Sequence, residues 1–204
     1  MIEYTIYTYL DRGVAWMFGL PGNEFLAFGL GLAGLALAAT VIGELCMAGA
    51  YFFNARHFAT LRRDMVRNNN LSIRALGAGD KASYKACNAL ANEAFGKNFF
   101  AYIALFAASV WPAFFALGWL DFRFGQVDFV LPLAGSVGPA FFFVPVYIAV
   151  RVIFNRAKPL LPLFKGIKTR IAANEAGEKM ISFMDLLVDE EKAGGGKETG
   201  GAVG

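Results

Sequence analysis

Apolar residues fall into three long blocks along this chain, separated by polar and basic segments. The run from Phe25 to Gly43, "FLAFGLGLAGLALAATVIG", holds nineteen residues without a charge. As a helix it extends about 28 Å at roughly 1.5 Å per residue, close to the hydrocarbon thickness of a bilayer. It predicts a first span over about 25–47, with helix continuing toward Asn54. The block "FFAYIALFAASVWPAFFALGWL" predicts a second span over about 99–120, bent at Trp111-Pro112. A third apolar stretch, 129–154, is broken by Pro132, Gly135, Gly138, Pro139 and Pro145. Its first part, 129–136, reads as a loop or half-inserted segment, and about 137–154 as a third span kinked at Pro145.

The segments between the blocks carry their own patterns. Residues 1–24 mix Tyr4, Tyr7, Tyr9, Trp16 and Phe18 with a few charges, which suits a short helix at the lipid headgroups. Pro21-Gly22-Asn23-Glu24 then reads as a turn into the first span, with Asn23 or Glu24 near the helix start. In 55–98, Phe58, Leu61 and Met65 share one helical face, and Tyr84, Cys87, Ala91 and Ala94 share another. Between them "GAGD", Gly77 to Asp80, places Asp80 to cap the second helix. The pattern predicts two antiparallel helices, the first interrupted at Asn68-Asn69-Asn70; a loose basic loop tied to anionic headgroups is the alternative. Residues 166–188 suggest an amphipathic helix using Ile167, Ile171, Met180, Phe183, Met184 and Leu187, and 189–204 a Gly-rich disordered tail.

"GLGLAG", Gly29 to Gly34, has the G-x-G-x-x-G spacing of a dinucleotide loop. That loop needs a short strand before it and an acidic residue about 20 positions on. A nineteen-residue apolar run is no such strand, so the glycines read as packing residues. Ala27 with Gly31, Gly29 with Ala33, and Ala39 with Gly43 are small-xxx-small pairs that let another helix approach closely.

Composition agrees with a polytopic membrane protein: 57% of residues are hydrophobic, 17% are charged, and Phe alone numbers 21. The segment 1–24 carries Glu3, Asp11 and Glu24, against a cleavable signal peptide. Eight basic residues occupy 54–98 (Arg56, Arg62, Arg63, Arg67, Arg74, Lys81, Lys85 and Lys97), and five more begin the tail, from Arg156 to Arg170. The N-terminal segment holds Arg12 and the loop 121–128 holds Arg123. By the positive-inside rule the N-terminus is outside, and the basic hairpin and C-terminus are inside. The expected fold is therefore an all-α membrane protein with three transmembrane helices, N-out and C-in. A cytoplasmic helical hairpin over 55–98 lies between spans one and two. The organisation is an interfacial segment 1–24, a membrane domain 25–165, an amphipathic helix 166–188 and the tail.

Candidate chemistry is sparse. Two cysteines, Cys46 and Cys87, and a single histidine, His57, predict neither a disulfide framework nor a metal site, and no cofactor is expected. No nucleophile–base set, carboxylate pair or phosphate loop is present, so an enzyme is not expected, nor a DNA-binding role or a small-molecule substrate. Glu44, in "VIGELCMAG", is the acid of an apolar stretch. It either faces a polar groove or partner inside the membrane or sits wet at the cytoplasmic interface. Arg151, near the inner end of span three, either snorkels to the headgroups or pairs with Glu44. Thr40, Asn54, Asn98, Tyr102, Ser109 and Tyr147 are further candidates for a polar lining; among them Asn54, Tyr102 and Tyr147 join Glu44 and Arg151 as groove or partner residues.

This order of elements resembles the YidC-type insertase superfamily, in particular its minimal three-span members. An acid near the inner end of span one, in "GELCMAGAYFFNARHFATLRRD", runs directly into basic helix, and "DFRFGQVDFVLPLAGSVG" resembles the short connection after span two. The likeness covers about 25–165 and is one of topology and residue types. The Arg that bacterial members place in mid-groove has no mid-span counterpart in this sequence; Arg151 lies near an inner end. The resemblance implies a non-enzymatic insertase or biogenesis factor of a bacterial inner membrane. Its partners would be the bilayer, client membrane segments and, as a further candidate, the ribosome. The basic hairpin (Arg62, Arg63, Arg67, Lys81, Lys85) would face the cytoplasm. The competing expectation is a non-catalytic structural or assembly subunit of a larger membrane complex, bound to other membrane proteins.

Overall fold

A computed structural model describes residues 2–19, 23–127, 129–131, 135–185 and 187–188. The expected tail 189–204 lies outside the described residues. Helix dominates: α1 (Ile2–Val14) runs into a 3-10 turn (Ala15–Phe18), followed by α2 (Glu24–Phe53), α3 (Ala55–Gly77) and α4 (Lys81–Phe124). Two short strands, β1 (Phe129–Leu131) and β2 (Gly135–Val137), precede α5 (Pro139–Ala157), a 3-10 turn (Lys158–Leu160) and α6 (Pro162–Asn174). Three helical stretches, Glu24–Phe53, Lys81–Phe124 and Pro139–Leu160, are long and apolar enough to cross a membrane. The chain divides into two compact units. One comprises Met1–Phe53 with Ala104–Thr169, the other Asn54–Ile103 with Arg170–Gly204.

In the first unit, one face each of α2, α4 and α5 forms the core. Leu32, Leu35, Ala36 and Ala39 meet Ala113, Ala116, Trp119 and Leu120, with Phe143 and Tyr147 closing the cluster. The start of α2 is set by Asn23, whose side-chain oxygen accepts the Phe25 N–H at 2.9 Å. Small residues on α2 serve two purposes. At Gly43 a Cβ would lie 2.0 Å from the Ser109 carbonyl oxygen, so the backbones of α2 and α4 touch there. At Gly31 it would lie 2.5 Å from the Phe18 ring, so this glycine is a socket for the 3-10 turn. Ala27 and Ala39 are buried and Ala33 is half-buried. Gly29 faces open space, and its expected role in close helix packing is corrected.

The short helix expected in the N-terminal segment is present as α1; Tyr7 stacks on Phe122 at 5.7 Å, and Phe18 packs against Trp119 and Phe124 at 5.5 and 5.3 Å, while Tyr9 and Trp16 stay exposed. Ring-on-ring packing holds Tyr7 and Phe18 where a neighbouring helix offers a glycine gap. In the segment 129–136, read as loop or half-inserted, the described residues form two short antiparallel strands that pair Phe129 with Val137 and Leu131 with Gly135. Gly135 supplies the left-handed backbone (φ +69°) that the turn requires. Neither Pro112 nor Pro145 ends its helix.

In the second unit, α3 and the first half of α4 lie antiparallel. Phe58, near the start of α3, packs on Tyr102, and Leu76, near its end, lies by Tyr84. The turn between them follows from four residues. Gly79 takes φ +72°, its N–H reaches Leu76 O at 3.0 Å, and Asp80 N–H reaches Ala75 O at 3.1 Å, closing a Schellman motif. Asp80 then caps α4 by accepting from the Ala82 and Ser83 N–H groups at 3.1 and 3.0 Å. The Ser83 side chain and amide, and then the Ala82 amide, hold its carboxyl below the usual aspartate value. The helix so started continues without a break into the second span.

Asn68–Asn70 do not interrupt α3, which is continuous from Ala55 to Gly77. The amphipathic helix expected over 166–188 is broken: α6 ends at Asn174, residues 176–182 are irregular with a bend at Glu178, and helix resumes at 183–185. The reason is tertiary. The side chains of Asn69 and Asn70 bind the backbone of this segment, an alternative use of both donors and acceptors that local propensity does not register.

Candidate functional site: a cation among neutral partners

Glu44 sits on the last third of α2, one residue beyond the Gly43 contact, and is buried. An apolar environment makes a lone carboxylate costly, so its partner matters. That partner is Lys158, from the turn after α5, whose Nζ lies 2.6 Å from Glu44 Oε2. The expectation that Glu44 pairs with Arg151 is therefore corrected. Lys158 lies just past the last helical residue of α5, and its four-carbon stem reaches back to the carboxylate.

Arg151 is committed elsewhere. Its Nη1 donates to the Tyr147 hydroxyl at 2.6 Å and to the Ser109 carbonyl at 3.3 Å, and its Nη2 donates to Ser109 Oγ at 2.6 Å. Its guanidinium carbon stands 5.7 Å from the centre of the Phe106 ring and 5.8 Å from that of Tyr147. Ser109 is itself fully buried, and its hydroxyl donates to Phe106 O at 2.7 Å. Among the described residues no carboxylate lies within ion-pair distance of Arg151. The guanidinium charge is thus solvated by a carbonyl, two hydroxyls and two ring faces.

Depth follows from Ser109. It is the eleventh residue of the twenty-two in the apolar window Phe99–Leu120, about 15 Å from either end at the helical rise. From α5 the Arg151 head reaches Ser109, at the middle of that window, and Ser109 in turn touches Gly43, the last residue of the charge-free run 25–43. Sequence reading placed the residue and missed its head. Ser109 and Tyr147, named there as possible lining, are the groups that hold it. Over the next three turns of α4, Pro112 and Trp119 line an apolar hollow of about 290 Å³ with Ala39 of α2.

The remaining candidates lie apart in the sequence-to-structure map. Tyr102 belongs to the second unit, where its hydroxyl donates to Glu175 Oε1. Asn54 is the single non-helical residue joining α2 to α3, and its carbonyl accepts the Phe58 N–H at 3.1 Å. Arg62, Arg63 and Arg67 line a hollow of about 290 Å³ beside residues 174–178, while Lys81 and Lys85 stand exposed on the first turns of α4. Among the described residues no group of three or more His, Cys, Asp or Glu is placed to hold a metal ion, and Cys46 and Cys87 are free thiols. Compared with protein-family models, with curated proteins and with solved structures, the chain matches none of them.

Proposed function

We propose that this chain is a membrane-protein insertase or biogenesis factor that lowers the cost of moving polar flanks of client segments into the bilayer. The observation that carries the reading is the Arg151 cation, held at Ser109 by a carbonyl, two hydroxyls and two ring faces with no carboxylate partner among the described residues. A charge in hydrocarbon costs several kcal/mol, and an arginine so placed without a counter-ion attracts whatever anionic group enters its vicinity. A client's acidic flank would be stabilised part-way across, then released because no bond but the charge-assisted one holds it. The Glu44–Lys158 pair, by contrast, is already internally neutralised and serves to anchor the end of α5 on α2. In this reading the charge bias supports an N-terminus outside and the basic helices of 55–98 inside, where clients and ribosomes would arrive; the membrane proposed is a bacterial inner membrane.

A photoreactive residue at Phe106, whose ring is exposed yet flanks Arg151, gives the test. It is expected to crosslink to nascent membrane segments on stalled ribosomes, and to different segments in turn. Labelling of lipid alone, or of one fixed protein, would rule the reading out.

One observation favours a second reading, a structural subunit of a larger complex. Only 33%, 22% and 17% of the three apolar windows is buried within the chain, leaving wide faces for partner helices. Stoichiometric recovery with the same partners in mild detergent would favour it; recovery of the chain alone would remove it.

A further inference from the structure

The strongest unassigned feature lies in the second unit, where residues 175–181 are strapped along α3. Four of the polar bonds that hold them go to main chain. Asn70 uses both ends of its amide: Nδ2 donates to Lys179 O at 2.9 Å, and Oδ1 accepts the Ile181 N–H at 2.8 Å. Asn69 Nδ2 donates to Ile181 O at 2.9 Å, and Arg62 Nε donates to Glu175 O at 3.2 Å. Asn70 is almost wholly buried, so it is a fixed reader rather than a mobile surface amide. Three side-chain contacts, made by two glutamates, set polarity. Glu175 lies against Arg62 and the Tyr102 hydroxyl, and Glu178 Oε1 lies 3.3 Å from Arg74.

Bonds to backbone carbonyls and amides do not depend on side-chain identity, and an asparagine that pairs one carbonyl and the amide two residues on does for a peptide what a sheet edge does. We infer that the face of α3 formed by Arg62, Asn69, Asn70 and Arg74 is a docking track for an acidic peptide, and that the chain's own 175–181 is its tethered occupant. The partner's chemistry follows from the contacts. It is an unstructured polypeptide with two carboxylates three residues apart, followed by a main-chain donor and acceptor that Asn70 can pair. The hollow lined by Arg62, Arg63 and Arg67 beside the strap adds positive charge for such a partner. The site would stand whether or not the spans insert clients.

A tethered occupant competes at the high local concentration that its short connection imposes, so an added peptide binds the intact chain weakly. The test uses the full chain in detergent and, as probe, a fluorescent fifteen-residue peptide of alanine and serine carrying the two glutamates at the strap's spacing. I181P removes the N–H that Asn70 accepts and leaves the track itself unaltered. Amide exchange over 175–185 is expected to rise in I181P, and the probe to bind that variant about tenfold or more tighter than the unaltered chain. Adding N70A to I181P is expected to abolish the gain. Three results would overturn the inference: exchange unchanged in I181P, a released strap with no gain in probe binding, or equal binding by I181P and the double variant.

Discussion

Replacing Lys158 with alanine is expected to cost more stability than replacing Glu44 with glutamine, although each change breaks the same ion pair. The Glu44 side chain is 5% exposed and that of Lys158 is 26% exposed. K158A strands a carboxylate in an apolar surround; losing one partner of a fully buried pair costs about 3–5 kcal/mol. The partial exposure of the lysine lowers the expected figure here to roughly 2–3 kcal/mol. E44Q removes the charge but keeps an acceptor for Lys158, and the lysine can turn outward, so a loss of about 1 kcal/mol or less is expected. The double variant should recover most of what K158A loses. Thermal unfolding of the four chains in one detergent gives the comparison, and equal losses for the two single variants would mean that the pair is solvated.

The second large effect is expected at Gly43. Alanine there would bring its Cβ to 2.0 Å from the Ser109 carbonyl oxygen, which is backbone and cannot turn aside. The α2 and α4 backbones must part, an overpacking strain of about 1–3 kcal/mol. The movement also carries Ser109 away from the Arg151 guanidinium, so G43A should weaken both stability and any activity that needs that cation. Gly29 has nothing within 4 Å of its would-be Cβ. G29A is therefore expected to be neutral, or stabilising by up to about 1 kcal/mol from helix propensity. Unfolding temperatures that fall alike for both variants would contradict this account of the helix contact.

The pair of glycines also shows what the sequence could and could not convey. Small-xxx-small spacing marks residues that permit close approach, but not which of them meets a helix, an aromatic ring or open space. Gly43, Gly31 and Gly29 have each of these surroundings in turn. The three spans were legible because a charge-free window of bilayer length has few other uses. The α3–α4 turn was legible because "GAGD" carries both a left-handed cap and an N-cap acceptor in four residues. What escaped depended on long-range partners. Asparagines that weaken a helix by propensity are retained in α3 because a segment more than a hundred positions away occupies their amides. Strands of three residues are too short for alternation to register, so 129–137 showed only its Gly and Pro. Lys158 looked like one more basic residue of the inner flank, since nothing local tells a lysine which way its stem lies. The depth of the Arg151 head was hidden for the same reason.

The lack of a counter-ion beside the Arg151 head is what most needs testing, and client insertion into proteoliposomes measures its consequence. Clients would differ only in the charge of the flank to be moved: acidic, neutral or basic. The unaltered chain and R151K are expected to raise insertion of the acidic client most, and R151Q to lose that preference while remaining folded by its unfolding temperature. Loss of a single charge-assisted contact corresponds to about 1.5–3 kcal/mol, or roughly ten- to hundredfold in relative yield. A folded R151Q chain that inserts acidic and neutral clients in the same ratio as the unaltered chain would contradict the account.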